Sequence, residues 1–236
     1  MKNHFLTLVF SIITCISFSQ LISQQSIFSF DITKSILPSL QNVGSTSGIP
    51  TTVITGNYVH YPRLTFGYNR LILDKVMLGV DVGFGNKATS FLYQMSEEYS
   101  FLEVRPEIQF QLYSDDKIIV YYGLELFHIR NKDVFDNSFY LKSGEGIFNY
   151  ESASFKREKT GAMLKFGVYR TLFNSFGVNF YTGIGAQVTN IEYSNVMNET
   201  ENLIEFKHGF KQFKQDGNLV FAEFTLGVKL YFISQK

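Results

Sequence analysis

The chain has 236 residues, with 21 basic and 21 acidic side chains and a single cysteine. Zero formal charge removes the electrostatic case for nucleic acid or an anionic surface as partner, and one cysteine excludes a disulfide framework. The 25 Phe, 14 Tyr and only 4 Pro suit strands, and the length suits one large β-domain.

The first element is a targeting segment. Lys2 precedes an apolar run, Phe5 to Phe18, and Ser17-Phe18-Ser19 forms a small-x-small cleavage site. The run falls short of the roughly 20 apolar residues that span a bilayer as a helix. Residues 1–19 therefore read as a secretory signal peptide and 20–236 as the mature domain. Cys15 lies inside the run. A lipobox around it is the alternative, with Ile13-Thr14 a poor fit.

Eight segments then alternate with period two: Ile27–Ile36, Arg63–Leu71, Val76–Gly85, Phe101–Tyr113, Ile118–Ile129, Ala162–Leu172, Phe176–Ile191 and Leu219–Phe232. No amphipathic helix stands out. Segments two and three are joined through Leu73-Asp74-Lys75, four and five through Ser114-Asp115-Asp116-Lys117, and six and seven through Phe173-Asn174-Ser175, all with turn residues. The other links are long and polar: Pro38–Tyr61, Asn86–Ser100, Arg130–Gly161 and Glu192–Asn218. Strict alternation of short and long links matches a bacterial outer-membrane barrel, with short periplasmic turns and longer extracellular loops.

The faces agree. Leu64, Phe66 and Tyr68 oppose Arg63, Thr65, Gly67 and Asn69, and Val220, Phe224, Leu226 and Val228 oppose Glu223, Gly227 and Lys229. A soluble sheet buries the apolar face; a membrane barrel turns it to lipid and must close, because no backbone group goes unpaired in hydrocarbon. The expected fold is all-β: an eight-stranded antiparallel up-and-down transmembrane β-barrel. Its inward charges would be Arg63, Arg105, Lys165 and Lys229 against Asp31, Asp81, Glu103, Glu107, Glu125 and Glu223. An interior this narrow is filled by side chains, so a salt-bridged plug is expected in preference to an ion path. The inward glycines would make room for Arg and Tyr.

The stretches "RLTFGYNRLILDKVMLGVDVGFG", "FLEVRPEIQFQLYSDDKIIVYYGLELF", "FGVNFYTGIGAQVTNIEY" and "FTLGVKLYF", with a leader ending near Ser-Phe-Ser-Gln, resemble the small flavobacterial outer-membrane β-barrel proteins. The resemblance covers nearly all of the mature chain. It implies the barrel fold and the outer membrane, and no activity, because that group is largely of unknown function. It also implies contact with outer-membrane lipid and with the barrel-insertion machinery. That machinery reads a terminal aromatic in many outer-membrane proteins, whereas here Ile233-Ser234-Gln235-Lys236 follow Phe232.

Chemistry-bearing motifs are few. "GVDVGFG" has glycines at strand period, not in the turn before a helix that a dinucleotide loop needs. "GSTSG" has Thr46 where a nucleophile elbow needs its nucleophile. His60, His128 and His208 stand apart from any metal-ligand spacing, and none is followed two residues later by the Ser of known lipid A deacylases. His128, at the rim of the fifth segment, reads as an interfacial histidine. Asn198-Glu199-Thr200 is a sequon by pattern alone. Arg130–Gly161 carries Phe135, Phe139, Tyr140, Phe148 and Tyr150 among charges. Such aromatics either recognise a partner or extend the strands above the membrane. No cofactor or metal is expected. The sequence thus points to a non-enzymatic outer-membrane protein, acting in adhesion or partner binding through its loops, or structurally. A lipid A-type modifying enzyme in the wall, a narrow channel and a soluble lipocalin-like ligand-binding barrel are the alternatives.

Overall fold

The computed structural model describes residues 25–35, 63–89, 96–142, 146–201, 213–214 and 218–234. The segment read as a signal peptide, His60, His208 and the Gly44–Gly48 stretch lie outside these residues. The strands are β1 (Ser26–Asp31), β2 (Leu64–Leu73), β3 (Val76–Asn86), β4 (Ser100–Ser114), β5 (Ile118–Lys142), β6 (Gly146–Phe173), β7 (Phe176–Met197) and β8 (Asn218–Ser234). One helical turn, α1 (Ile32–Ser35), follows β1, and a 3-10 turn, Lys87–Thr89, follows β3. Each strand pairs antiparallel with the next, and β1 pairs with β8, with Asp31 opposite Lys229, so the eight strands form a ring. No described helix is long and apolar enough to cross a membrane.

The short-turn end is built to one pattern. Each descending strand carries a register shift beside its turn, at Leu71/Leu73, Gln111/Tyr113 and Thr171/Phe173. The bulge frees a backbone N–H to reach the neighbouring hairpin. Gln111 donates to the Lys75 carbonyl at 2.8 Å and Thr171 to that of Lys117 at 2.8 Å. Ile233 closes the series on Ser175 at 2.7 Å. Asn174 enters the left-handed region at φ 43°, where Asn is tolerated. Asp115 shapes its own turn by accepting from the backbone N–H groups of Lys117 and Ile118 and from the Tyr113 hydroxyl. The Lys117 bond above all holds its carboxyl below the usual carboxylate range.

Two expectations change. The first segment, read as strand to Ile36, leaves the wall at Asp31. Asp31 Oδ1 caps the Lys34 N–H at 2.9 Å, which starts a helical turn directed inward, and Lys34 and Ser35 are buried. The hydroxyls of that turn take over from the ladder: Thr33 Oγ1 accepts the Val228 N–H and Ser35 Oγ the Thr65 N–H. The second change concerns Arg130–Gly161, read as a long link. It is strand almost throughout, with β5 and β6 in register from Ile118/Arg170 to Lys142/Gly146. At about 3.3 Å per residue, Asn131–Lys142 adds roughly 40 Å of strand. Short strands brace both edges of this raised hairpin, Thr200–Glu201 on β6 and Phe213–Lys214 on β5.

Candidate functional site: an ionic interior, an apolar wall and a raised hairpin

Parity decides which way each side chain points. Every one of Arg63, Asp81, Glu103, Arg105, Glu107, Glu125, Lys165, Glu223 and Lys229 is buried inside the ring. The apolar residues between them face outward: Glu223 is 9% exposed beside Phe224 at 60%, and Lys229 is 1% exposed beside Val228, with Leu226 at 66%.

The buried charges balance. Asp31, Asp81, Glu103, Glu107, Glu125, Asp133 and Glu223 stand against Lys34, Arg63, Arg105, Arg157, Lys159, Lys165 and Lys229, seven of each sign among the described residues. Most are joined in chains. Arg63 Nε donates to Glu103 at 3.1 Å, and Arg105 bridges Glu103 (3.0 Å) to Glu125 (2.7 Å). Lys165 Nζ continues the chain, 2.9 Å from Glu125 and 2.7 Å from Glu107. Lys229 holds Asp81 at 2.5 Å, while Lys159 and Glu223 sit further apart at 3.4 Å. Buried charges demand such partners.

The sequence reading did not name Arg157, Lys159 or Asp133, and two further groups that it missed complete this layer. Lys34 arrives on α1 and lies 3.6 Å from Asp31 and 3.8 Å from Asp81. Tyr181 is the hub: its ring centroid is 4.7 Å from Lys165, 5.4 Å from Lys229 and 5.6 Å from Lys34, and its hydroxyl donates to Asp31 at 2.6 Å. Parity alone places Tyr181 on the inner face with Asn179 and Gly183. Lys34 had no such signal, because four helical residues leave no period to read.

Apolar clusters lie at both ends of the ring, the upper one interleaved with Lys159, Arg157 and Asp133. At the short-turn end Ile27, Met77, Ile119, Tyr121, Tyr169, Tyr231 and Ile233 pack together. At the other end Tyr99, Phe101, Phe127, Ile129, Phe155, Met163 and Tyr193 do the same. Glycines admit the large rings. A Cβ on Gly167 would lie 2.5 Å from the Tyr121 ring, one on Gly177 2.5 Å from Tyr231, and one on Gly227 2.2 Å from Tyr181. In each case the tyrosine is the register partner across the ladder. Gly83 likewise receives Glu103.

No protein-family model, curated protein or solved structure matches this chain. What it can do is therefore read from its own surfaces.

The outer wall changes character along the strands. Leu126, Ala162, Ala186 and Ala222 form an apolar row across β5 to β8. The next row is Val104, His128, Thr160 and Val188, and the one after it Leu102, Arg130, Glu158 and Asn190. Above these, Lys132, Lys156 and Glu192 follow. Exposed ion pairs run through them: Arg130–Glu158 at 3.5 Å, Lys156–Glu158 at 3.4 Å and Lys156–Glu192 at 3.7 Å.

On the raised hairpin, Tyr150 is buried, and Phe135 and Phe148 pack partly buried against the upper cluster, with Phe135 5.0 Å from Phe155. Phe139 and Tyr140 lie on β5 opposite Asn149 and Phe148. Lower on the same strand Asp133 is buried, accepting from Ser96 Oγ at 2.5 Å and from the Val134 N–H at 2.9 Å. Burial pushes its carboxyl up from the usual range. Among the described residues no group of three or more His, Cys, Asp or Glu is placed to hold a metal ion.

Proposed function

We propose that the chain is an outer-membrane β-barrel, exported by its first 19 residues, with short turns in the periplasm and the raised hairpin outside the cell. The observation that carries this is the inversion of solvents: ionised groups within and Leu, Ile, Val and Phe without. In water, the exposed Phe66, Phe84, Leu164, Phe166, Phe180, Ile184 and Phe224 would form an apolar surface far larger than a soluble monomer shows. In lipid they are at their lowest free energy, and a Lys or Arg at mid-bilayer would cost about 2–4 kcal/mol. The belt ends at His128 and Arg130, where a headgroup boundary belongs.

The work of the molecule is then done on its outside. Its interior is charge-balanced and bounded by apolar clusters, which suits a plug and not a conduit. The raised hairpin, stiffened by its inward aromatics, projects a charged ledge toward an extracellular or envelope protein partner, and adhesion through that hairpin is the reading we favour over a purely structural one. Fractionation tests the placement. The protein should sediment with outer membranes, resist a high-salt wash and float with lipid vesicles after reconstitution. Recovery in the soluble periplasm would reject the proposal in favour of a soluble ligand-binding barrel.

A further inference from the structure

The wall carries a pairing that sequence spacing could not show. His128 on β5 and Thr160 on β6 are register partners with both side chains pointing outward, and His128 Nδ1 lies 2.8 Å from Thr160 Oγ1. That is within the reach a general base needs to activate a hydroxyl nucleophile. The two residues are 32 positions apart in the chain and meet only across the ladder.

Their location adds to the geometry. One row toward the short turns lie Ala162, Ala186 and Ala222, a row of small side chains in a wall rich in Leu, Ile, Val and Phe. One row the other way lie Arg130 and Glu158, register partners joined by an ion pair at 3.5 Å. Hydrocarbon contact below and charge above is where the ester bonds of a bilayer lipid lie.

We propose that His128 and Thr160 form an acyl-transfer centre acting on an ester-linked fatty-acyl chain of a membrane lipid. The inference rests on the membrane placement above and departs from the expectation of a protein without catalysis. Thr160 Oγ1 attacks the ester carbonyl carbon and its proton passes to His128 Nδ1. The bond from that carbon to the lipid oxygen breaks, and the departing oxygen takes the proton from His128. The acyl chain is now an ester of Thr160. A water from the headgroup side, deprotonated by His128, then attacks it, releasing the fatty acid and restoring the Thr160 hydroxyl. Arg130, which Glu158 also holds at 3.5 Å, is the cation that would serve the developing negative charge on the carbonyl oxygen. The sum is one ester and one water converted to an alcohol and a fatty acid.

The test uses the full chain reconstituted in vesicles of phosphatidylethanolamine and phosphatidylglycerol, with and without diphosphoryl lipid A. Released fatty acid and deacylated lipid are followed by mass spectrometry, and the two vesicle types distinguish phospholipid from lipid A as the ester source. Wild type is expected to release fatty acid steadily. Thr160→Val and His128→Gln should lose at least 100-fold, and Thr160→Ser should retain turnover. Both positions of change face outward, so folding is checked by flotation of the same samples. Protein that floats but releases no more fatty acid than protein-free vesicles overturns the acyl-transfer centre alone. So does His128→Gln turning over like wild type, or Thr160→Ser failing with Thr160→Val. Protein that does not float overturns this inference and the membrane placement together.

Discussion

Lys165 Nζ sits between two carboxylates, 2.7 Å from Glu107 and 2.9 Å from Glu125, with its own side chain fully buried. Replacing it with Met keeps the volume and removes the charge. Arg105 still answers Glu125, but Glu107 then has no cation among the partners described, and breaking a buried pair from one side costs about 3–5 kcal/mol. Lys165→Met should therefore lower the urea midpoint of the micelle-solubilised protein by an amount equivalent to at least about 3 kcal/mol. The comparison is Lys87→Met, whose pair with Glu97 is open to solvent and should be worth about 0–1 kcal/mol. Equal midpoints for the two variants would mean that the interior is wet and its ion pairs screened. The glycine–tyrosine pairs make the same point by shape: Tyr181 can gather three ammonium groups only because Gly227 opposite it has no Cβ.

Among the elements, the raised hairpin shows what the sequence could and could not reveal. Below His128 each strand separates two environments, so apolar and polar residues alternate and the faces were legible residue by residue, including every inward charge named from parity. Above it, outward Arg130 and Lys132 flank inward Asn131 and Asp133. Along β5 both faces are polar over Arg130–Asp133, and the period-two contrast vanishes there although the ladder continues. The same loss of contrast hid the ends of β6 and β7. Asp133 makes this hairpin sensitive to pH. Burial raises its carboxyl, so the neutral form is the one the fold favours. The stabilisation is complete below the ordinary carboxylate value and is lost as pH rises through the raised folded value. Amide exchange at Val134, corrected for its intrinsic rate, should therefore quicken as the pH rises above the ordinary carboxylate value of about 4 and through the raised folded value. Asp133→Asn keeps an acceptor for Ser96 and should flatten that response. A response unchanged in the Asn variant would assign the titration to another group.

At the level of the whole molecule, the question is whether a ring of this size transmits anything. Eight strands leave an interior that side chains fill, and here the filling is layered: tyrosine and isoleucine near the short turns, fourteen balanced charges in the middle and upper strands, aromatics at the far end. An ion entering from the short-turn side would first have to shed water against an apolar cluster, and one from the other side would meet aromatics interleaved with Asp133, Arg157 and Lys159. It would then have to displace a paired charge whose partner it cannot replace at the same distance. Balanced signs also remove any standing attraction for one kind of ion. Reconstituted in a planar bilayer at about 100 mV, where the field supplies only about 2.3 kcal/mol per elementary charge, the protein should show no steady conductance. Lys165→Met should remain silent as well, because neither apolar cluster includes that residue. Steady steps from the wild type would show that the clusters part on a functional timescale, and the molecule would then be a narrow channel.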